Sequence, residues 1–371
     1  MQKSKLQVKN QILPKGWRKV KLEDWITLKY GFGLPEKERR KGDVQVYGSS
    51  GIVGWHNKAA VNKKGIIVGR KGNVGAIYFS DKPFYPIDTV YFVDSLKKNG
   101  DLKFFFYLLK TINFQRVDIN VGVPGLNRET AHSLEIFIPE DSKEQKRIAA
   151  ILSAFDDKIE LNNKISRTLE EMASAIFKEW FVKFNFPVEL VKSEKLKVKN
   201  EKLETICDIV YGKDLPTRNL KKYGFPVYGG NGIIGYSDKY LYSEPQIIVG
   251  CRGAYSGNVF KTEPKSFITH NSLVLKIKEG KNIGINYLFY ALQKSNVKSS
   301  TTGSAQPQIT ITELNKVEIP TADDKLTTKF EEIATTIENY KFKIIKENQK
   351  LSSLRDLLLP KLMSGELFIS E

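Results

Sequence analysis

The sequence predicts an α+β protein in which two duplicated α/β globules are separated by two long helices that form an antiparallel coiled coil. Two stretches of roughly 40 residues carry apolar side chains at helical spacing. Each stretch follows a segment of short apolar runs broken by Gly, Asn and Asp, and blocks of sequence recur in the two segments. Because the order is globule, helix, globule, helix, the second helix must run back if it packs along the first.

The first globule is predicted over residues 1–140. Residues 1–15 are polar and basic, which predicts a loose arm. Runs such as GIIVGRKGNVGAIYF predict short strands joined by tight turns, and LKFFFYLLKTI predicts a helix. This pattern is typical of an irregular α+β globule with much strand.

The first spacer helix is predicted over residues 141–185, with an unbroken helix from Ser142 to about Phe181 that contains no Gly or Pro. Ser142 and Gln145 have the spacing of a capping box. Apolar positions about 3.5 residues apart predict a seam of coiled-coil type. The seam positions are Ile148, Leu152, Phe155, Ile159, Asn162, Ser166, Leu169 and Ala173.

A basic, polar linker is predicted over residues 186–202, and the second globule over residues 203–320, with a matching helix at INYLFYALQKS. The second spacer helix is predicted over residues 321–371. The same spacing there selects Ile333, Ile337, Tyr340, Ile344, Glu347, Leu351, Leu354 and Leu358.

Three details of the spacer helices follow from local chemistry. Thr321 and Asp324 are expected to cap the second helix, and Pro360 is expected to break or kink it. A polar residue at a core position of a coiled coil commonly fixes alignment, so Asn162 is expected to face its repeat equivalent, Glu347.

The duplication is visible residue by residue. VYGSSGIVGW at Val46–Trp55 corresponds to VYGGNGIIGY at Val227–Tyr236, and IIVGRKG at Ile66–Gly72 corresponds to IIVGCRG at Ile247–Gly253 at the same offset. Between these blocks the two globules diverge. A shared scaffold with different surfaces is the simplest interpretation.

Charge points to a polyanionic partner. The 371 residues carry a formal net charge of +17, and 41% are hydrophobic, which is enough to build cores. Nucleic acid is the first candidate, an anionic membrane surface the second, and simple solubility the alternative. No apolar run is long enough to span a membrane, and the amino-terminal residues do not form a secretory signal. Cys207 and Cys251 lie far apart without paired spacing, which favours a reducing cytoplasm.

Several blocks together resemble the specificity (S) subunit of type I restriction-modification systems over nearly the whole chain. They are LPKGW at Leu13–Trp17, the two glycine-rich blocks in each globule, TTGSAQPQIT at Thr301–Thr310, EQKRIAAILSAFDDKIELNN at Glu144–Asn163 and LRDLLLPKLMSGEL at Leu354–Leu367. The first globule departs from this pattern, because NVGVPGLN at Asn120–Asn127 stands where the second has GSAQPQIT.

The resemblance implies two target-recognition domains, each of which reads one half of a bipartite, asymmetric site in double-stranded DNA. It implies that the helices set the spacing and dock two methyltransferase (M) subunits, and through them restriction/translocase (R) subunits. The chain would have no catalytic activity of its own. S-adenosylmethionine, ATP and Mg would belong to the partner subunits.

Polar and basic groups near the repeated glycines are the candidate DNA contacts. Arg70, Lys71, Arg252 and their neighbours follow buried apolar runs, and arginine can bond guanine or a phosphate, whereas a solvated basic turn is the alternative. Amide and hydroxyl groups such as Gln308 can pair with base edges. The predicted DNA-binding residues are Tyr47, Ser49, Ser50, Arg70, Lys71, Asn73, Thr89 and Asn127 in the first globule, and Tyr228, Asn231, Arg252, Tyr255, Asn271, Gln306, Gln308 and Thr310 in the second.

The helix ends carry more apolar groups than a two-helix seam can cover. Phe177, Trp180, Phe181, Leu359 and Leu362 are therefore predicted to dock a partner subunit or the other helix end, with intramolecular core as the alternative.

Enzymatic signatures are missing from the sequence. It contains no Walker lysine motif and no methyl-donor loop, and His56, His132 and His270 lack metal-ligand spacing, so no metal site is predicted. Two other function classes stay open, a non-catalytic protein-binding assembly scaffold and a stand-alone DNA enzyme with an unrecognised site.

Overall fold

A computed structural model of the chain describes residues 14–116, 125–187, 198–303 and 306–367. Most of the predicted arm, residues 120–124 of NVGVPGLN, residues 188–197 of the predicted linker, and Ser304 and Ala305 lie outside the described residues. The chain forms two compact units: unit 1 is Met1–Asn162 with Lys346–Glu371, and unit 2 is Asn163–Ile345. Both unit boundaries therefore fall inside the predicted spacer helices.

The globular part of unit 1 follows the predicted mixture of short strands and small helices. Its strands are β1 (Trp17–Lys21), β2 (Lys29–Tyr30), β3 (Val44–Gly48), β4 (Gly51–His56), β5 (Gly65–Gly69), β6 (Ile77–Ser80), β7 (Phe84–Pro86), β8 (Val90–Val93) and β9 (Glu135–Pro139). Its helices are α1 (Leu102–Thr111) and α2 (Arg128–His132). The strands form a four-stranded sheet in the order β2-β8-β5-β6, a three-stranded sheet β4-β3-β7 and an antiparallel pair β1-β9.

The core of unit 1 lies between the four-stranded sheet and α1. Asp101 caps α1 by accepting a hydrogen bond from the backbone N–H of Phe104 at 2.8 Å. The apolar face of α1 then buries three phenylalanines, and the Phe105 ring stacks on Trp25 with 5.4 Å between centroids. Strand β5 is buried along its whole length, and the chain returns to the surface directly after its carboxyl end, at Arg70 and Lys71.

Unit 2 repeats this arrangement. Its strands are β10 (Val198–Lys202), β11 (Cys207–Tyr211), β12 (Phe225–Gly229), β13 (Gly232–Ser237), β14 (Ile247–Gly250), β15 (Val259–Lys261), β16 (Phe267–Ile268), β17 (Ser272–Ile277) and β18 (Glu318–Ala322). Its small helices are α4 (Leu203–Ile206), α5 (Ile285–Lys294) and α6 (Ile311–Asn315). The sheet orders are β11-β17-β14-β15, β13-β12-β16 and β10-β18, the same topology as in unit 1. Strand β10 lies in the predicted linker, so the second globule begins earlier than the sequence indicated.

A long helix follows each globule. The first is α3 (Ser142–Phe181) between α2 and α4, and the second is α7 (Asp324–Met363). Within each unit their contacts run in antiparallel order. In unit 1, Arg355 pairs with Asp156 and Asn162 bonds Glu347; in unit 2, Lys341 pairs with Glu170.

Most predicted seam positions are at least partly buried, but three are exposed: Tyr340, Glu347 and Leu354. Lys341 follows Tyr340 and Arg355 follows Leu354, and both of these cations are largely buried and form interhelical ion pairs. The expected partner of Asn162 is confirmed, since its Nδ2 donates to Glu347 Oε2 at 2.9 Å.

Two predicted caps at the helix ends are wrong. Asp141 rather than Ser142 caps α3, because its carboxylate accepts from the N–H of Lys143, while Gln145 bonds Asp101 N and Pro139 O. Thr321 lies in β18 and donates to Lys199 O and Glu201.

The predicted break at Pro360 does not occur, since α7 continues through Pro360 to Met363. Pro360 lacks the N–H that would donate to the carbonyl four residues earlier. Only three residues of α7 follow it, so little of the helix depends on that hydrogen bond. Among the described residues, no helix is long and apolar enough to cross a membrane.

Candidate nucleic-acid interface

In unit 1 the predicted polar residues gather where β5 ends. The backbone N–H groups of Arg70 and Lys71 both donate to Thr89 O, at 2.9 and 3.1 Å. The N–H of Ser49 donates to Thr89 Oγ1 at 3.3 Å. A Cβ at Gly72 would lie 3.3 Å from Ser49 Oγ, and the positive φ of Gly72 (+74°) also favours glycine. The structure thus brings Ser49, Arg70, Lys71 and Thr89 into one surface.

The guanidinium of Arg70 is held in one orientation. Its Nε and Nη2 donate to Asp88 O at 3.2 and 2.7 Å. Its central carbon lies 5.3 Å from the ring centroid of Tyr30 and 5.7 Å from that of Tyr91. Two hydrogen bonds and two ring contacts limit its rotamers, so this side chain is pre-organised.

Two residues of this surface were missed by the sequence argument. Tyr30 ends β2 with its ring half exposed, and Arg128 lies over the same ring at 5.2 Å. The only local signal was Gly31, where a Cβ would clash with the carbonyl of Ile87, so the chain beside Tyr30 passes close to another backbone. Burial raises the pKa of the neighbouring Tyr91 to about 12, and its hydroxyl donates to Leu126 O.

Unit 2 builds the same framework with different side chains. The N–H of Cys251 donates to Asn271 O at 2.9 Å, as that of Arg70 does to Thr89. Arg252 pairs with Gln308 in a backbone bridge, as Lys71 pairs with Gly125. Gly253 N also donates to Pro307 O at 2.8 Å. Thr89 and Asn271 therefore occupy equivalent places in the two units.

Most predicted contact residues of unit 2 reach the surface. A Cβ at Gly250 would lie 2.5 Å from Gly230 O and Tyr255 O, so this glycine allows the two turns to meet. In unit 2, the exposed predicted residues are Asn231, Arg252, Tyr255, Gln306 and Gln308, with Asn271 and Thr310 partly exposed; in unit 1, Ser50, Lys71, Asn73 and Asn127 are exposed, and Ser49, Arg70 and Thr89 are partly exposed. Each unit thus presents hydrogen-bond donors and acceptors at the same place in its fold.

Asn127 and Thr310 have a structural role at equivalent positions. Asn127 Oδ1 accepts from the N–H of Thr130 at 3.0 Å and caps α2. Thr310 Oγ1 accepts from the N–H of Glu313 at 3.2 Å and caps α6. The Asn127 amide N–H₂ and the Thr310 hydroxyl proton are not used by these caps.

Tyr47 and Tyr228 do not belong to the contact surface. Each is only 5% exposed and lies in the core between sheets. Tyr47 donates its hydroxyl proton to Gln45, and the Tyr228 hydroxyl accepts from the N–H of Glu263. Burial raises both phenol pKa values, that of Tyr228 to about 12. We correct the prediction for both residues, because β3 and β12 are each flanked by strands on both sides and their rings pack inward.

The predicted docking residues are also core. Phe177 and Phe181 are buried in unit 2, where their rings contact Tyr287 and Phe330, and Trp180 packs beside them. Leu362 is buried in unit 1, with Leu359 packed against the same cluster. The intramolecular alternative is correct for Phe177, Phe181 and Leu362, whereas Trp180 and Leu359 pack against the same clusters but stay partly exposed.

The chemistry available at these surfaces is recognition by hydrogen bonds, charge and ring contacts. Within the described ranges, no three His, Cys, Asp or Glu side chains gather in the geometry of a metal site. Both cysteines are buried, and burial raises the pKa of each thiol, that of Cys207 to about 12. Neither cysteine therefore has the exposed, acidified thiol of a nucleophile.

The comparison with known proteins finds the same family domain in both repeats. A family model described as "Type I restriction modification DNA specificity domain" matches residues 14–171 and again residues 195–354. The chain is 24% identical over 408 residues to the type I restriction enzyme HindI specificity subunit of Haemophilus influenzae, which covers 84% of this chain and 88% of that protein. It is 27% identical over 328 residues to the type I restriction enzyme MjaIX specificity subunit of Methanocaldococcus jannaschii, with 76% and 72% covered.

A solved structure shares the fold. The crystal structure of the type I restriction-modification system S subunit from M. genitalium matches with a TM-score of 0.64 and 21% identity, over 98% of each chain. The match extends over both globules and both long helices of this chain.

Proposed function

Because the chain belongs to the family of type I restriction-modification DNA specificity domains, we propose that it is the specificity subunit of a type I restriction-modification complex. Each unit reads one half of a bipartite, asymmetric site in double-stranded DNA. The observation that carries the proposal is that the two units share one hydrogen-bonded framework but differ in the side chains placed on it, with Arg70 and Lys71 in unit 1 and Cys251 and Arg252 in unit 2. One framework with two surfaces suits two different half-sites.

The contacts divide by chemistry. Exposed cations such as Lys71 suit phosphates, which position the protein without reading sequence. Amide side chains such as Gln306 and Gln308 suit base edges in the major groove. The net charge of +17 supplies a general attraction to DNA.

The long helices set the spacing between half-sites and recruit partners in this proposal. Two methyltransferase subunits and, through them, restriction/translocase subunits dock on α3 and α7. Exposed apolar side chains are the candidate contacts, since the predicted ones are core: in unit 1 these are Leu161, Leu354 and Leu357. S-adenosylmethionine, ATP and Mg then serve the partner subunits, the chain itself carries out no chemistry, and the complex acts in the cytoplasm.

Co-expression with a methyltransferase subunit encoded next to it, followed by single-molecule mapping of DNA methylation, tests the proposal. We expect methylated adenines in one interrupted motif. Arg252→Ala or Gln308→Ala should change one half of that motif and Lys71→Ala should lower the extent of methylation without changing the motif. Lys276→Ala, near the other end of β17, is the matched control and should leave both halves unchanged.

The rival functions give different results. A stable complex that methylates no common motif would favour the assembly scaffold. Cleavage of DNA by the purified chain alone, dependent on an added metal ion, would favour the stand-alone enzyme.

A further inference from the structure

Tyr30 carries two arginines on its exposed ring. The guanidinium carbons of Arg70 and Arg128 lie 5.3 and 5.2 Å from its centroid. The ring is 49% exposed, so the group formed by Tyr30, Arg70 and Arg128, here called the Tyr30 platform, lies at the surface of unit 1. Two cations over one exposed ring, at the end of the edge strand β2, can both contact the same ligand.

Both arginines are held by the Nε and Nη2 edge of their guanidinium groups. Arg70 Nε and Nη2 donate to Asp88 O at 3.2 and 2.7 Å. Arg128 Nε and Nη2 approach Glu129 Oε1 at 3.0 and 2.9 Å. Among the described residues, neither Nη1 group has a hydrogen-bond acceptor. The Nη1 end of each guanidinium fork is therefore available to an outside molecule. Fixing the fork before binding lowers the entropy lost when it pairs.

The surroundings favour a base over a phosphate. The exposed carboxylate of Glu129 lies 2.9 Å from Arg128 Nη2, and it would repel a phosphate. The O6 and N7 atoms of guanine are uncharged acceptors with the spacing of an arginine fork, and the N4 amino group of the paired cytosine can donate to a carboxylate. An arginine beside a glutamate therefore matches the major-groove edge of a G·C pair.

Unit 2 keeps the ring and lacks both arginines. Tyr211 ends β11 opposite Leu273, as Tyr30 ends β2 opposite Tyr91, and it is 43% exposed. Buried Cys251 stands in the place of Arg70. Ile311 follows the cap residue Thr310 as Arg128 follows Asn127. The platform is thus a feature of one unit and not of the shared framework.

We infer that the Tyr30 platform reads a guanine in the half-site bound by unit 1, with Arg70 and Arg128 as specificity-determining residues and Tyr30 as their positioning residue. The inference rests on the proposed function, because it assigns a base to one of its two recognition surfaces.

Selection from a duplex pool with two randomised half-sites tests it, using the full chain alone and co-expressed with its methyltransferase subunit. The wild-type chain should enrich a motif with guanine in one half. Arg70→Lys or Arg128→Lys keeps the charge but removes the fork, and at least one should reduce discrimination at one guanine by roughly 5- to 150-fold. Arg18→Lys is the control, since Arg18 lies over Trp25 at 5.5 Å, away from the platform.

A second measurement has a wild-type arm that does not depend on the folding of the variants. Replacing the selected guanine by 7-deazaguanine removes the N7 acceptor and should weaken DNA binding by the wild-type chain about tenfold. The same replacement should not weaken DNA binding by the variant that lost discrimination. Equal enrichment by wild type and both lysine variants, or no effect of 7-deazaguanine, would overturn the inference while leaving the proposed function standing. No enriched motif in either preparation would overturn the proposed function itself.

Discussion

At the residue scale, His132 makes the stability of unit 1 depend on pH. Its ring is nearly buried, and its Nε2 accepts a hydrogen bond from the N–H of Leu28 at 3.0 Å. Burial lowers the pKa of His132 below its usual value of 6.5. The unfolded chain therefore takes up a proton first as pH falls, so the contribution of His132 is present above about pH 6.5 and is lost below it.

The expected result is a steeper loss of stability in the wild type than in His132→Gln between pH 7 and pH 5. The difference in slope should be at most about 1.4 kcal/mol per pH unit for one proton. Glutamine is the matched variant because its amide oxygen can accept from Leu28 without titrating. Urea unfolding at a series of pH values measures this, and parallel curves would show that His132 plays no part.

Glu338 holds two ammonium groups in a largely buried network of unit 2. Lys261 Nζ lies 2.7 Å from its Oε2 and 2.6 Å from Asn286 Oδ1, and Lys341 Nζ lies 3.0 Å from its Oε1. Burial by itself would raise the pKa of Glu338, but the two lysines outweigh it and hold that pKa below its usual value. The carboxylate is therefore charged at neutral pH.

Glu338→Gln should lower the free energy of unfolding by about 3–5 kcal/mol, because it leaves the buried ammonium group of Lys261 without its counter-charge, whereas Lys341 keeps Glu170. The control is Glu332→Gln, which removes an exposed carboxylate paired with Lys329 and should change it by less than about 1 kcal/mol. Chemical denaturation of the three proteins compares them. Equal effects would show that solvent reaches the Glu338 network.

The exposure of individual site residues was predictable where the chain leaves a buried strand, but not for residues within such a strand. Arg70 and Lys71 follow a fully buried strand, so their polarity placed them outside correctly. Tyr47 stands beside similar glycines, but it lies on a central strand whose neighbours cover its ring. Tyr30 and Arg128 are far apart in sequence, and only the folded chain brings the guanidinium of Arg128, on α2, over the Tyr30 ring.

At the scale of elements, one interhelical ion pair in each unit places an acid of α3 against a base of α7. Unit 1 places Asp156 of α3 against Arg355 of α7. Unit 2 places Glu170 of α3 against Lys341 of α7. In the alignment of the repeats Asp156 corresponds to Lys341 and Glu170 to Arg355, so α3 supplies both acids and α7 both bases. Pairing of α3 with α7 is attractive at both positions, whereas pairing of either helix with its own copy would oppose like charges.

The Asp156–Arg355 pair should show a measurable coupling energy. Arg355→Asp alone and Asp156→Arg alone should each destabilise the chain by placing like charges together in a largely buried interface. The double reversal should recover about 1–3 kcal/mol relative to the sum of the two single effects. Full recovery is not expected, since Asp156 also accepts a hydrogen bond from Tyr107 at 2.7 Å. Additive effects in chemical denaturation would contradict the coupling.

Helix extent was predictable from periodicity, but the identity of the inner positions was not. The absence of Gly and Pro fixed α3 as one helix from Ser142 to Phe181. The pattern favoured Tyr340 and Leu354 as core because they are apolar. The adjacent cations, Lys341 and Arg355, turn inward instead because they pair with carboxylates on α3. Periodicity cannot report such a partner on a distant segment.

At the scale of the whole molecule, the duplication determined more of the fold than any single motif. Equal sheet orders in the two units show that the recurring blocks encode a whole topology. The sequence alone placed domain boundaries at the ends of the helices, but the compact units divide inside them because each helix contributes to two cores. Such sharing depends on the packing of α3 with α7, which no local pattern reports.

The net charge of the whole molecule should set how steeply DNA binding depends on salt. Each neutralised phosphate contributes about 0.9 to the slope of log affinity against log salt, because binding releases a condensed counterion. Lys71 is exposed at the proposed surface, so Lys71→Ala should reduce that slope by about 1 and weaken binding to all duplexes alike. Lys329→Ala, on α7 and paired with Glu332, is the control and should leave the slope unchanged. Fluorescence anisotropy titrations from 50 to 300 mM salt, roughly the range where the effect is large, measure it. A slope unaffected by Lys71→Ala would remove this residue from the set of phosphate contacts, and a change of sequence preference would move it to the base contacts.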